Sequence, residues 1–148
     1  MAEDMISNIL VAIDGSDVSL RAARYAIGLA KREGAKLAVL HVIHLPASGL
    51  MYTTESAFSQ SIEKSRKGAE GWFEGIRKRA EGAGLDVKTE TMEELYSVPG
   101  AIIKKSEELG ADLVIVGGSG LSGFKRFFLG SVASDVVRYS RCPVLVVK

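Results

Sequence analysis

A glycine-rich segment near the carboxyl end of the chain has the residue types of a phosphate site. It covers residues 117–131 and reads GGSGLSGFKRFFLGS. Glycine lets backbone N–H groups approach a phosphate because no Cβ stands in the way. Gly130 and Ser131 also lie where a helix is predicted to begin, and the N-terminus of a helix favours an anion. The segment therefore predicts a phosphate-binding loop, in which Ser131 adds a hydroxyl, serves as the helix N-cap, or does both.

Two better-known phosphate motifs do not fit this segment. Residues 118–123 match G-x-G-x-x-G, but a dinucleotide fold has that motif in an early βαβ unit, with an acidic residue about 20 positions further on. Only 25 residues follow Gly123, which is too few for a second mononucleotide-binding half. A P-loop needs G-K-[ST], whereas Lys125 stands between Phe124 and Arg126. We therefore expect neither of these two motifs to operate here.

The elements that must position the segment alternate between short apolar runs and longer amphipathic patterns. Strands are predicted at 9–13, 36–43, 86 to 91 or 92, 113–116 and 144–147. Helices are predicted from Ser16 or Asp17 to Gly34, from Phe58 to Ala80, from Ser97 to Gly110 and from Ser131 to Tyr139. Strands that alternate with helices predict a parallel sheet with right-handed crossovers, which is an α/β, three-layer, doubly wound fold. The pattern predicts one domain over residues 1–148.

Two loops of this fold carry residues suited to ligand contact. In doubly wound sheets, ligands bind beyond the carboxyl ends of the strands, where the winding reverses direction. Asp14-Gly15-Ser16 follows the first strand, and the glycine-rich segment follows the fourth. If these two strands are neighbours, both loops line one crevice, and the pattern alone leaves that adjacency open. Asp14 is interpreted either as a ligand contact or as a helix cap or turn former.

Composition and charge indicate what the protein does not bind and where in the cell it is expected. The 148 residues include 19 basic and 18 acidic side chains, so no strong field attracts nucleic acid. The single cysteine, Cys142, cannot form an internal disulfide, which is typical of a reducing compartment. The first residues lack the basic region of a signal peptide, and no apolar run approaches the roughly 20 residues of a membrane helix. These features predict a cytoplasmic protein that binds neither nucleic acid nor membrane.

At the glycine-rich segment, the chain resembles the universal stress protein family. Gly117-x-x-Gly120, nine residues and then Gly130-Ser131 is similar to the G-2x-G-9x-G-[ST] motif of the nucleotide-binding members. The resemblance extends to ILVAIDGS at 9–16 and CPVLVV at 142–147. It implies a five-stranded sheet in the order 3-2-1-4-5, in which the first and fourth strands are adjacent.

The resemblance also implies an adenine-nucleotide site, residue by residue. Ala12 and Asp14 would lie near the ribose and the base edge, and the backbone of Val42 would face adenine. Val116, Gly117 and Gly120 would surround the ribose and phosphates, and Gly130, Ser131 and Val132 would hold the phosphate end. The first glycine pair encloses Gly118 and Ser119, where the family often has a serine or threonine followed by a large polar residue.

The function implied by this resemblance is regulatory. The chain would bind ATP, or AMP or ADP, with Mg²⁺ or Mn²⁺ as candidate metals, and would signal its nucleotide state to an unidentified protein partner in a stress response. No catalytic residue is assigned, because the loops show no P-loop lysine, no paired carboxylates and no general base. The alternatives are a slow ATP-hydrolysing enzyme, a nucleotide-free dimeric interaction module and a flavin-binding electron carrier of similar fold.

The last strand predicts how two copies of the chain associate. Residues 144–147 are apolar and lie at a sheet edge in the implied strand order. An uncovered edge invites pairing with another chain, and a two-fold partner that uses the same strand would cover it. We therefore expect a homodimer through this strand.

Overall fold

The computed structural model describes residues 5–45, 54–119 and 129–148 of the chain. Its elements are β1 (Asn8–Ile13), α1 (Asp17–Glu33), β2 (Lys36–His44), α2 (Glu55–Gly82), β3 (Val87–Glu94), α3 (Val98–Glu108), β4 (Leu113–Gly117), α4 (Ser131–Tyr139) and β5 (Val144–Val147). The strands form one parallel sheet in the order β3-β2-β1-β4-β5. The predicted doubly wound fold and the implied strand order are both confirmed.

The central strands are apolar because they are covered on both faces. In β1, Leu10 and Val11 are almost completely buried, and in β4 the same holds for Val114 and Ile115. Unbroken hydrophobic runs of this kind are typical of strands between two helical layers. The outer strand β3 instead alternates half-buried with exposed residues over much of its length. The sequence pattern thus distinguishes the middle of the sheet from this edge.

Two separate apolar layers hold the helices against the sheet. Alternate side chains of a strand point to opposite faces, so each strand supplies both layers. One layer joins Val11 of β1 and Ile115 of β4 to α1 and α2. The other joins Leu10 and Val114 of the same two strands to α3 and α4. The carboxyl ends of β1 and β4 therefore lie between helices on both sides.

Strand ends differ from the predicted ones where pairing extends a strand. β3 begins at Val87 instead of Asp86 and continues to Glu94 instead of Thr91 or Met92. It continues because β2 pairs with it as far as His44↔Glu94. This pairing is a tertiary feature that the residue types of β3 do not encode.

Three helices begin with a side-chain cap. The hydroxyls of Ser16, Thr54 and Ser97 accept hydrogen bonds from backbone N–H groups of the first turns of α1, α2 and α3, at 3.2, 3.1 and 2.9 Å. Such caps satisfy N–H groups that have no acceptor inside the helix. Ser16, and not Asp17, is therefore the cap of α1.

The fourth helix begins without a side-chain cap. Gly130 is its N-cap and Ser131 is its first helical residue, so the interpretation of Ser131 as a plain N-cap is wrong. The reason is tertiary: the Gly130 N–H donates to the Gly118 carbonyl at 2.7 Å, which holds Gly130 outside the helix. The first turn of α4 consequently lacks the hydroxyl acceptor that the other three helices have.

In the part of the chain that the structure describes, none of the helices combines the length and apolar character that crossing a membrane requires.

Candidate functional site

A cleft opens at the carboxyl edge of the sheet, where β1 and β4 separate. Their ladder ends at Val11↔Ile115. Beyond this point β1 stays paired with β2 as far as Ile13↔His41, and β4 stays paired with β5 as far as Gly117↔Val147. Because each strand follows its other neighbour, the space between their last residues is left open. This is the point where the winding of the sheet reverses, which is the usual ligand position in such folds.

The cleft brings the predicted site residues together. Its lining comprises Ala12, Ile13, Asp14, Ser19, Val42, Val98, Ile102, Val116, Gly117, Ser119, Gly130, Ser131, Val132 and Ala133. Every predicted site residue within the described ranges is in this set. Gly120, the remaining predicted residue, lies outside the described residues.

One side of the cleft is apolar and includes residues that the sequence reasoning missed. Val98 and Ile102 of α3 line the cleft together with Val42 of β2. The apolar pattern of α3 indicated only that both residues face a core. Their position in the sequence could have identified them as lining residues. Because α3 begins just after the carboxyl end of β3, its first turns lie at the edge of the sheet where ligands bind. Val98 is partly exposed, whereas Val42 and Ile102 are buried, and the three residues together make this side of the cleft apolar and suited to a flat ring.

The other side of the cleft carries hydroxyl groups and a helix start. Ser119 and Ser131 line it, and so do the next two residues of α4, Val132 and Ala133. The first N–H groups of a helix have no acceptor within the helix, and the helix dipole is positive at this end. Gly130 supplies no side-chain acceptor for them. This side of the cleft is therefore suited to an anion.

The turn after β1 is fixed by a closed set of hydrogen bonds. Asp14 Oδ1 accepts from the Ser16 N–H at 2.9 Å, which confirms that Asp14 forms a turn. The Asp14 N–H donates to Ser19 Oγ at 3.1 Å, and this hydroxyl donates to the Ser16 carbonyl at 3.0 Å. Ser19 is buried beneath the turn. The backbone that presents Asp14 to the cleft is thus held from inside by α1.

The chain at the end of β4 is held by close packing at Gly117 and by backbone hydrogen bonds at Gly118. A Cβ on Gly117 would lie 2.4 Å from Val18 Cγ1 and 3.2 Å from the Ser19 backbone nitrogen, so only glycine fits against the start of α1. Gly118 donates its N–H to the Val147 carbonyl at 2.7 Å and accepts from Gly130 through its own carbonyl at 2.7 Å. The backbone of this loop is consequently tied to β5 and to the start of α4.

The same bond decides which N–H groups remain for a ligand. The sequence predicts that backbone N–H groups around Gly130 reach a phosphate. In the structure the Gly130 N–H is committed to Gly118, whereas Ser131, Val132 and Ala133 follow it at the cleft. The donors suited to an anion therefore begin at Ser131.

Comparisons with known proteins agree with this architecture. The model of the universal stress protein family matches residues 5–148. A universal stress protein of Methanocaldococcus jannaschii is 36% identical over 148 residues, which cover 99% of this chain and 84% of the relative. The structure of universal stress protein UspA from Lactobacillus plantarum superimposes with a TM-score of 0.85 at 24% identity, covering 97% of this chain and 99% of that one.

A further solved structure is of a universal stress protein in complex with cAMP. It matches with a TM-score of 0.68 at 27% identity and covers 97% of both chains. The family match spans nearly the whole sequence, and the relative from Methanocaldococcus jannaschii exceeds a third in identity over almost all of it. On this evidence the chain belongs to the universal stress protein family.

Proposed function

We propose that the chain is a regulatory protein that binds an adenine nucleotide in the cleft between β1 and β4. The observation that carries the proposal is the meeting of two surfaces in one cleft: the uncapped start of α4 and the apolar wall of Val42, Val98 and Ile102. A nucleotide has an anionic end and a flat, largely apolar end, and needs both surfaces. The cAMP complex of a family member that is 27% identical supports an adenine nucleotide as the class of ligand.

The chemistry of the two sides supports one orientation of the ligand. Adenine would lie against the side chains from β2 and α3, with the backbone of Val42 at its edge. The phosphates would accept hydrogen bonds from the N–H groups and the hydroxyl at the start of α4, where charge-assisted bonds contribute about 1.5–3 kcal/mol each. Ala12 and Asp14 would lie beside the ribose. We propose ATP as the ligand, with ADP and AMP as its shorter forms.

A divalent ion is part of the proposal for ATP. In the described ranges, no group of three or more His, Cys, Asp or Glu side chains is close enough to hold a metal ion. Asp14 places a carboxylate on the cleft lining, and oxygen is the ligand atom that Mg²⁺ and Mn²⁺ prefer. Mg²⁺ in nucleotide sites is commonly bound through one or two carboxylates and the phosphates themselves. Asp14 is the residue that would contribute.

We further propose that binding, and not turnover, is the function. Asp14 is the one ionisable side chain among the described residues that line the cleft, and its Oδ1 accepts from the Ser16 N–H. We expect phosphate release far below the ~1–100 s⁻¹ typical of kinases. Metal-dependent release of phosphate in that range, abolished by Asp14→Ala, would instead make the chain an ATP-hydrolysing enzyme. The protein partner and the role in a stress response are proposed from family membership. The cytoplasmic location remains a prediction from the sequence.

Calorimetric titration of the purified chain with ATP, ADP, AMP and FMN tests the nucleotide class. We expect heat of binding with the adenine nucleotides and none with FMN. Binding of FMN alone would favour the flavin carrier, and no binding of any of the four would favour the nucleotide-free interaction module.

A substitution at the start of α4 tests the position of the site. Gly130 has φ −60° and ψ 158°, which any residue adopts, so valine is compatible with the backbone there. The branched side chain of Gly130→Val would enter the cleft beside Ser131 and abolish ATP binding. Gly75→Val is the matched control, because a Cβ on Gly75 has nothing within 4 Å. Equal ATP affinity in folded Gly130→Val and wild type would refute this assignment of the phosphate end.

A further inference from the structure

Two aromatic side chains outside the cleft contact the turn that carries Asp14. The first is His41 of β2, which is 9% exposed and has Nδ1 2.8 Å from the Ile13 carbonyl oxygen. A carbonyl oxygen only accepts, so the Nδ1 atom carries the hydrogen and donates it. His41 therefore fixes the peptide group that joins Ile13 to Asp14.

The second side chain is Trp72 of α2, which lies against Gly15 of the same turn. Gly15 has φ +85°, and a Cβ built on it would lie 2.1 Å from Trp72 Cζ2. The indole ring thus occupies the space in which any other residue at position 15 would have its side chain. The same ring meets the His41 ring edge to face, with centroids 5.1 Å apart and planes at 90°. The two aromatic residues contact each other and the residues on both sides of Asp14.

The end of β1 needs such support because of how the sheet opens. Pairing with β4 stops at Val11, so the last residues of β1 have a neighbouring strand on one side only. The separation that creates the cleft leaves Ile13 paired with β2 alone, without a second ladder to β4. His41 bonds to this residue at the point where the ladder with β4 is missing.

We propose that His41 and Trp72 form a clamp that positions Asp14 for the nucleotide, and we call the pair the His41–Trp72 clamp. The inference rests on the proposed function of the cleft. Neither residue lines the cleft, so both act through the turn and not through the ligand. The clamp also connects α2 to the site, because Trp72 belongs to that helix.

Nucleotide affinity in three variants tests the clamp. His41→Phe keeps a ring beside Trp72 but removes the donor to Ile13, and we expect about tenfold weaker ATP binding, as for the loss of one hydrogen bond. His41→Asn restores an N–H donor close to the position of Nδ1, and we expect it to recover most of the affinity. Ile76→Ala is the control, because Ile76 is buried in the same helix one turn beyond Trp72. It should lower stability and leave affinity unchanged.

Hydrogen exchange in the nucleotide-free protein tests the clamp independently of the ligand. The amides of Asp14 and Ser16 are the probes, because both donate within the turn, to Ser19 Oγ and to Asp14 Oδ1. We expect both amides to exchange faster in His41→Phe than in Ile76→Ala, and at near wild-type rates in His41→Asn.

The outcomes separate the clamp from the proposed function. If wild type binds no adenine nucleotide, the proposed function fails, and the exchange rates still decide whether His41 holds the turn. If wild type binds ATP while His41→Phe and Ile76→Ala behave alike in affinity and in exchange at the turn, the clamp is overturned and His41 is a packing residue only.

Discussion

The sequence alone could not decide whether Ser131 binds the ligand or caps the helix. As the first residue of α4 it lines the cleft, and because Gly130 is the cap, its hydroxyl is not needed to begin the helix. At the scale of one residue, this separates ligand binding from folding. A change at Ser131 should therefore affect the nucleotide more than the fold.

We accordingly expect Ser131→Ala to weaken ATP binding with little loss of stability. Removal of one hydroxyl costs about 0.5–1.5 kcal/mol for a neutral hydrogen bond and up to ~3 kcal/mol against a charged oxygen, which is roughly 2- to 150-fold in affinity. Calorimetric titration measures the affinity, and thermal denaturation checks the fold. Ser134→Ala, in the next residues of the same helix and outside the cleft lining, is the control and should bind ATP as wild type does.

Glycine positions show how far residue types alone can be interpreted. Gly15 and Gly117 stand at the carboxyl ends of β1 and β4, where the sequence predicts ligand contact. The reason for glycine there is different, since a Cβ would strike Trp72 at one position and Val18 at the other. Glycine is needed both where two protein segments approach closely and where the backbone approaches a phosphate, so the sequence shows the same residue in both cases. Only the neighbouring atoms in the structure distinguish the two cases.

At the scale of elements, the caps of the described helices distinguish α4 from α1, α2 and α3. α1, α2 and α3 each satisfy an N–H group of the first turn with a hydroxyl from the chain, whereas α4 leaves that role open. A capping side chain and a phosphate would compete for the same donors. Stability of α4 and nucleotide affinity should therefore change in opposite directions.

Gly130→Asp tests this opposition. Aspartate is a better N-cap than glycine by a few tenths of a kcal/mol, and the attraction between its negative charge and the helix dipole stabilises α4 by about 0.3–1 kcal/mol. We expect a small rise in the thermal midpoint together with a loss of ATP affinity, because the carboxylate occupies the phosphate position and repels the ligand. Gly130→Ala, which adds neither acceptor nor charge, should give no rise in midpoint. A Gly130→Asp variant that binds ATP normally would contradict the role of α4.

A charged contact joins α3 to β3 beside the apolar layer. Lys105 Nζ lies 2.8 Å from Glu90 Oε2 and 3.2 Å from Glu108 Oε2, and its side chain is 14% exposed. The hydrogen bond to Glu90 raises the pKa of Lys105 above 10.5, against the opposing effect of burial. A lysine whose pKa is raised on folding stabilises the fold below its unfolded pKa, and this contribution is lost as the pH rises through the folded value.

Urea unfolding of wild type and Lys105→Met should show this pH dependence. At neutral pH we expect wild type to be more stable by about 0.2–1 kcal/mol, the range for ion pairs that remain in contact with water. Above pH 10.5 the difference should shrink as Lys105 loses its proton. A difference that stays constant across this pH range would show that the ammonium charge does not contribute and that only packing of the side chain matters.

The order and type of the elements could be predicted from the sequence, and so could the ends of α4 and β5, whereas the ends of β3 and the part of the cleft formed by α3 could not. The unbroken apolar runs around Val11 and Ile115 identified central strands because a strand that is buried on both faces has apolar residues at successive positions. The length of β3 depended on its pairing with His44, and the position of Gly130 depended on a bond to Gly118. These are contacts between distant segments. The site residues came from family resemblance, while Ile102 was missed because apolar residues that face a core and those that face a ligand look alike.

At the scale of the whole molecule, β5 leaves one edge of the sheet open. It pairs with β4 on one side and has no strand on the other among the described residues. The Val114 N–H donates to the Pro143 carbonyl and the Gly118 N–H to the Val147 carbonyl, so these positions of β5 face β4. Because backbone groups alternate in direction along a strand, Val144 and Val146 direct their N–H and C=O groups to the open edge. This edge is a template for another strand.

We expect a second copy of the chain to cover this edge in a two-fold homodimer, because the same strand on both copies gives a closed interface. Light scattering at micromolar concentration should give the mass of two chains. Val144→Pro removes one outward N–H without touching the bonds to β4 and should shift the mass towards one chain. Val144→Ala, which loses a similar side chain but keeps the N–H, should remain a dimer. A monomeric wild type, or equal masses for the proline and alanine variants, would show that β5 does not form the interface.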